Sequence, residues 1–588
     1  MTLRQRTAPA LILLSLGFLF LNVTGALSSA QAQIVQVTAA NPTSTAQGTT
    51  NLNVKVIGKG FKNGANAKWF VTGTTDPGGV TVNSTAFVNS GELTANITVA
   101  DSAVIANFDI QVLNSDGRGG KGTELFAVIA KGGSASTCPS LSPAATGNTN
   151  CYSVQAGCLD TTFGGSGFVH TDPDGPSYSS FINSLVMQSD GKIIVAGQAT
   201  DNANGTGADF LLSRFNSDGS VDTSFGSVNP SNPSLRLGYV MTAFTTGSDL
   251  ASSVALQTDG KIVAGGSASP GGFAVARYNN DGTLDGAFAN GGKTIIDFAS
   301  AASVRQLVIQ SDGKIILAGE AGSPSQFGLA RLNQNGTLDS TFGSAGKLVV
   351  NPSDLKRGNG FAWSVALQRI PAVTGEERIV VAGWATENLF GGSTASTFAL
   401  MRFRPNGAID TTFGNNGRAY VPFFGFTDQI RQIAIDSANR IVAAGNVRTG
   451  NDSCGSYIQD YGVTRLTTNG ALDTTLGGGK QTADIYGGAD NVYGLALQSD
   501  GKIIIAGYAH SSDLTLKDFA LLRLNADGTR DSSFGLLGNG VVTTDFFGLA
   551  DYAIAVAVQP NDGKIVVAGS ITVSSSNGGE VAVARYWP

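Results

Sequence analysis

Seven arginines stand in a fixed relation to seven aspartates. Arg214, Arg277, Arg331, Arg402, Arg465 and Arg523 each lie eight residues before Asp222, Asp285, Asp339, Asp410, Asp473 and Asp531. Each arginine ends an F-x-L-x-R phrase or a variant of it, and each aspartate belongs to an L-D-x-x-F-G phrase or a variant. The seventh arginine, Arg585, has no aspartate after it, while Asp160 opens the series with no arginine before it. Two kinds of chemistry suit such a set. A ring of guanidinium groups could hold an anionic ligand, or each fork-shaped cation could clamp a carboxylate across a hairpin. The eight-residue spacing favours the clamp, because strand, turn and strand bring the two positions side by side. Arg585 can meet Asp160 only if the two ends of the region come together.

Other reactive residues are sparse. His170 and His510 are the only histidines, too few for a Ser-His-Asp constellation or a histidine-rich metal site. The recurring Asp-Gly-Lys turns offer one carboxylate each, whereas calcium takes six or more oxygens, so they read as turns. Cys138, Cys151, Cys158 and Cys454 lack the paired C-x-x-C spacing of zinc sites. Three of them fall in one short stretch, where a disulfide is expected, with the connectivity left open. A carboxylate pair of the glycosidase kind is conceivable, but no spacing singles out two residues. The sequence therefore assigns no catalytic residue, no metal and no cofactor. Trp384, Phe390, Tyr457 and Tyr508 fall in or beside stretches that vary between repeats and are the candidate ligand contacts. Trp363 is placed just before a first strand.

The elements that position these residues recur with them. The aspartates from Asp160 to Asp531 are spaced by 62, 63, 54, 71, 63 and 58 residues. Between them runs a phrase Q-x-D-G-K-I-x-V-A-G, clearest at Gln188–Gly197, Gln310–Gly319 and Gln498–Gly507. Each repeat contains four short strand candidates, at 182–187, 192–197, 210–215 and 237–242 in the first. Asp-Gly turns favour antiparallel hairpins. Glycine is abundant, at 78 residues against 17 prolines, as many tight turns require. Four-stranded units repeated seven times predict a seven-bladed β-propeller over residues 158–588. The repeats are out of phase with the ends: 167–171 occupies a fourth-strand position and 581–586 a third. Pairing them closes the ring, which if left open would have two further unpaired sheet edges.

These phrases resemble the delta-60 repeats of bacterial secreted proteins over residues 159–588. The resemblance implies the fold and carries no established activity. Upstream, residues 33–131 hold several short alternating strands, which suggest a β-sandwich. The segments Val56-Ile-Gly-Lys-Gly-Phe61 and Val112-Leu-Asn-Ser-Asp-Gly117 resemble the immunoglobulin-like IPT/TIG family. Residues 132–157, rich in Ser, Thr, Gly and Asn, read as a linker.

Residues 1–32 read as an export signal: Arg4 and Arg6, an apolar run, then Ala30-Gln31-Ala32, with cleavage after Ala32. No later segment is apolar enough to cross a bilayer, so the mature chain is expected to be soluble and secreted or held at the cell surface. A net charge of −6 and the lack of a Lys/Arg cluster argue against nucleic acid. The expected role is a non-enzymatic binding or adhesion protein whose partner is an extracellular protein or carbohydrate. The alternatives are a glycan hydrolase or lyase using channel carboxylates, and a structural surface component. Any ligand face is expected where the connections vary, between second and third strands and between repeats.

Overall fold

The protein is all-β in a computed structural model that describes residues 35–588, apart from 43, 72–73, 105, 130–154, 174–178, 201–206, 353–358, 371–375, 389–393, 425–426, 452–456, 486–488, 511–516 and 574–578. The export signal and nearly all of the 132–157 linker lie outside the described residues, as do Cys138, Cys151 and Cys454. Cys158 is buried and disulfide-bonded. The chain divides into two compact units, Met1–Leu141 and Ser142–Pro588. No helix among the described residues is long and apolar enough to cross a membrane.

The first unit is a sandwich of two four-stranded sheets. One orders the strands Gln36–Asn41, Leu52–Lys59, Glu92–Val99 and Val80–Asn89; the other orders Ser44–Ala46, Gly119–Ile129, Ala106–Leu113 and Asn66–Val71. The strict alternation of buried and half-buried residues along Glu92–Val99 places Leu93, Ala95, Ile97 and Val99 inside. Trp69 and Phe126 meet edge to face in the same core, with ring centres 5.9 Å apart.

The second unit contains seven four-stranded antiparallel sheets. The first six are built from consecutive strands. The seventh is completed by Phe168–Thr171, which pairs with Gly579–Tyr586 in the register Thr171 to Val581 and Phe168 to Ala584. The innermost strands are Phe181–Met187, Asp249–Leu256, Ala302–Ile309, Gly360–Arg369, Gln429–Ile435, Asn491–Leu497 and Tyr552–Val558. Each packs against the next, and the last packs against the first, so they form a closed ring around the central channel. Second and third strands are buried on both faces, as in Ile193–Thr200 and Ala208–Phe215, because neighbouring sheets cover them. Apolar clusters fill the spaces between successive sheets; one joins Phe163, Ile182 and Leu211 to Val566 and Val583 across the closure.

Several second and third strands run further than the repeat phrases indicate. The fourth sheet extends its hairpin to Asn388 and Thr394. Tyr508 therefore belongs to the strand Ile503–His510, and Trp384 to Glu377–Asn388, rather than to connecting loops. His510 closes its strand instead of lying beyond it. Trp363 likewise sits inside the inner strand Gly360–Arg369, not before it. Strong β formers at these positions allow the ladders to continue past the repeated phrase.

Candidate functional site

The repeated charges form the frame. Nε of Arg214, Arg277, Arg331, Arg402, Arg465, Arg523 and Arg585 lies 2.7–2.8 Å from the carboxylate of Asp222, Asp285, Asp339, Asp410, Asp473, Asp531 and Asp160 respectively. All seven aspartates are buried. Each also receives a second cation: Lys192, Lys261, Lys314, Arg378, Arg440, Lys502 or Lys564, at 2.8–3.2 Å. The lysine of the Asp-Gly-Lys turn thus has a charge role that turn chemistry alone does not reveal.

The arginines also tie sheets together. Nη1 of Arg402, Arg465 and Arg585 donates to the carbonyls of Thr468, Ala526 and Ser217 at 2.6 Å, each in another repeat. Arg585 stacks over Phe163 at 4.8 Å, and five other arginines stack over the equivalent phenylalanine. Burial alone would raise Asp473 and Asp531, but hydrogen bonds and the adjacent guanidinium outweigh it and hold both at about 2. These arginines are committed to the frame.

A different set of residues is presented to the channel. In every inner strand the pairing with the second strand skips one residue: Asn183, Ser252, Arg305, Trp363, Arg431, Tyr493 and Ile554. A β-bulge bends its strand and re-aims the extra side chain. Seven bulges at one level make a ring of variable side chains on an invariant frame. The ring is asymmetric: Asn183, Ser252 and Ile554 are small or aliphatic, whereas the third to sixth sheets carry Arg, Trp, Arg and Tyr.

Those larger side chains form a continuous belt. Arg305 lies over Trp363 at 4.4 Å, and Arg431 lies over the same ring at 4.3 Å. Trp384 joins from the second strand, with ring centres 5.5 Å from Trp363 and 5.0 Å from Phe361. Arg431 is 5.7 Å from both Trp384 and Tyr493. Tyr493 leads to Tyr508 at 5.9 Å, and Tyr508 to Tyr552 at 5.2 Å. Lys517 lies 5.0 Å from the rings of both Tyr508 and Tyr552. The belt spans the third to seventh sheets. Trp363, Arg431, Tyr493 and Tyr552 are half-buried, and Trp384 and Tyr508 are buried behind them. It lies at the end of the channel where second strands run out toward third strands.

The structure therefore brings Trp384 and Tyr508 into one assembly. Tyr457 opens the strand Tyr457–Leu466, its side chain lying outside the described part, and Phe390 lies outside the described residues. Arg305, Arg431, Tyr493, Lys517 and Tyr552 were not singled out by sequence. The bulged ones among them share a positional signal: each bulged residue lies five before Gln188, Gln257, Gln310, Gln368, Asp436, Gln498 or Gln559, whereas Lys517 and Tyr552 carry no such signal.

Among the described residues, several carboxylates near this end have other partners or are deeply buried. Glu320 binds Arg305 at 2.7 Å. Asp460, Asp484 and Asp490 bring carboxylate oxygens within 4.8 Å of one another. Burial pushes Asp490 up to about 8 and Asp460 up to about 7. His170 binds Glu580 at 2.6 Å across the closing strand pair.

The fold and its repeated frame define a β-propeller repeat protein. Residues 188–225, 257–288, 310–342, 378–413, 498–534 and 561–588 match the family model described as a domain of unknown function (DUF5122) β-propeller. Among solved structures, the chain is similar to the polysaccharide lyase Uly1, at 12% identity and a TM-score of 0.39, covering 74% of this chain and 98% of that one. It is also similar to the β-propeller domain of the Trilobed protease from Pyrococcus furiosus, at 10% identity and TM-score 0.34, over 70% and 94% of the two chains. The α-L-arabinofuranosidase ARB93A from Fusarium graminearum gives 10% identity and TM-score 0.34, over 57% and 92%. No curated protein matches the chain.

Proposed function

We propose that the chain is an exported, non-enzymatic binding protein that holds an extracellular glycan on the aromatic belt at one end of its propeller channel. The observation that carries this reading is the half-buried Trp363–Arg431–Tyr493 sector, backed by Trp384 and Tyr508. Flat aromatic faces stack on the C–H faces of sugar rings, and the neighbouring polar tips supply hydrogen bonds. A rigid ring of inner strands sets these faces before a ligand arrives, which reduces the ordering cost of binding. The same reading takes residues 159–588 as delta-60 repeats, 33–131 as an IPT/TIG-type module and 1–32 as an export signal.

A hydrolase or lyase acting through channel carboxylates is the competing reading, and the raised values of Asp460 and Asp490 favour it. Both side chains are buried, at 6% and 0% exposure, and the belt's own Glu320 is engaged by Arg305. A glycan-binding screen with parallel turnover assays tests the choice. Binding without turnover is expected; turnover abolished by D490N would establish the enzyme.

A further inference from the structure

The belt carries cations that its own carboxylates do not neutralise. Arg305 is paired with Glu320, and the seven frame arginines are paired with aspartates. Arg431 and Lys517 differ: neither makes an ion pair among the described residues. Among the described residues the Arg431 guanidinium makes one hydrogen bond, from Nη2 to Gln429 Oε1, at 3.2 Å. Its Nε is buried with no acceptor among the described residues. A guanidinium has five N–H donors, so most of this group's capacity is unused. Burial, with a smaller effect from the charge of Arg305, holds Arg431 below the ordinary arginine value. A partly desolvated cation short of acceptors is costly unless an anion completes it.

Resting on the belt reading above, we propose that the ligand is an acidic saccharide whose ring carboxylate is received by Arg431 while a sugar ring stacks on Tyr493, Trp363 being held between Arg305 and Arg431 as the platform that supports the cation. The geometry suits a uronate better than an acidic peptide, because the half-buried Tyr493 ring lies 5.7 Å from the guanidinium, within reach of a single pyranose. A hexuronate places its carboxylate on the pyranose ring itself, so one residue can stack and pair at once. Lys517, at the Tyr508–Tyr552 end of the belt, offers a second point of positive charge along the same line. The net charge of −6 makes this a local feature rather than a general polyanion surface.

The test compares trigalacturonate with its methyl ester, which keeps the rings and removes the charge, by calorimetry on the full chain. The acid is expected to bind about tenfold more tightly than the ester, the scale of one charge-assisted hydrogen-bonded pair. Arg431→Gln should bring the acid down to the ester while leaving the ester unchanged, and Arg431→Lys should retain part of the preference. Equal affinity of the wild-type chain for acid and ester overturns the acidic ligand and leaves the glycan belt standing. A preference that survives Arg431→Gln overturns the role of Arg431. If neither compound binds, the uronate proposal falls, and the belt falls with it only if the glycan screen also finds no ligand. Poly-L-glutamate competing as strongly as trigalacturonate, in an Arg431-dependent manner, would replace the saccharide with an acidic peptide. Should Arg431→Gln fold poorly, the wild-type acid-to-ester ratio and the Arg431→Lys variant decide the matter.

Discussion

The guanidinium of Arg431 lies 4.3 Å above the ring of Trp363, and each of these residues is the one its inner strand skips in pairing. Two bulges in successive sheets thus place a cation on an aromatic face inside the channel ring. Trp363 is half-buried, so its removal leaves the frame largely intact. Trp363→Ala is expected to weaken glycan binding by about tenfold or more, because Arg431 loses the ring that holds it in place, with only a small change in melting temperature. Tryptophan fluorescence and a thermal melt on the same sample check both halves.

Arg585 and Asp160 connect the ends of the propeller. Their contact is 2.7 Å and both are buried, so removing one leaves an uncompensated charge. Arg585→Ala is expected to cost about 3 kcal/mol, since Lys564 still partly neutralises Asp160. Chemical denaturation measures this cost. An unchanged midpoint would mean that the closure does not rest on the pair.

The frame aspartates predict an acid transition. Their folded values lie below the ordinary 3.8, at about 2 for Asp473 and Asp531. The folded state therefore releases these protons more readily than the unfolded state. The resulting stability is fully present above pH 4 and disappears as the pH falls toward 2. Melting temperature recorded from pH 6 to pH 2 should drop mainly in that lower window.

Asp490 works in the opposite direction. Burial raises it to about 8, with Asp484 and Asp460 adding to the effect, so the folded state keeps a proton that the unfolded state loses near pH 4. Between pH 4 and 8 this group makes the protein less stable as the pH rises. D490N keeps a carbonyl acceptor for the Ile485 N–H, which bonds Asp490 at 2.7 Å, and removes the ionisation. The variant should lose less stability than the wild type between pH 5 and pH 8, as read from paired melts.

The frame was legible because it repeats. Seven copies of the Leu-Asp phrase expose the strand order and the phase that joins Phe168–Thr171 to Gly579–Tyr586. The eight-residue interval leads from Arg214 to Asp222 because a tight hairpin sets that distance. The belt was much harder to see. The seven bulge positions behind it hold Asn, Ser, Arg, Trp, Arg, Tyr and Ile, and a bulge has no fixed composition. Only counting back from the turn glutamine aligns them. The reach of the strands holding Trp384 and Tyr508 was also hidden, since the ladder there outruns the repeated phrase. The buried aspartates Asp249, Asp428, Asp490 and Asp551 accept backbone N–H groups just upstream of their inner strands. That role depends on a turn closing back on itself, which spacing alone does not display.

A glycan array probed with the purified chain and with Trp363→Ala bears most directly on the belt as the ligand site. The wild-type chain should retain one class of glycan, and the variant, with an unaltered melting temperature, should lose it. The same glycan class retained by the folded variant at equal strength would contradict the assignment.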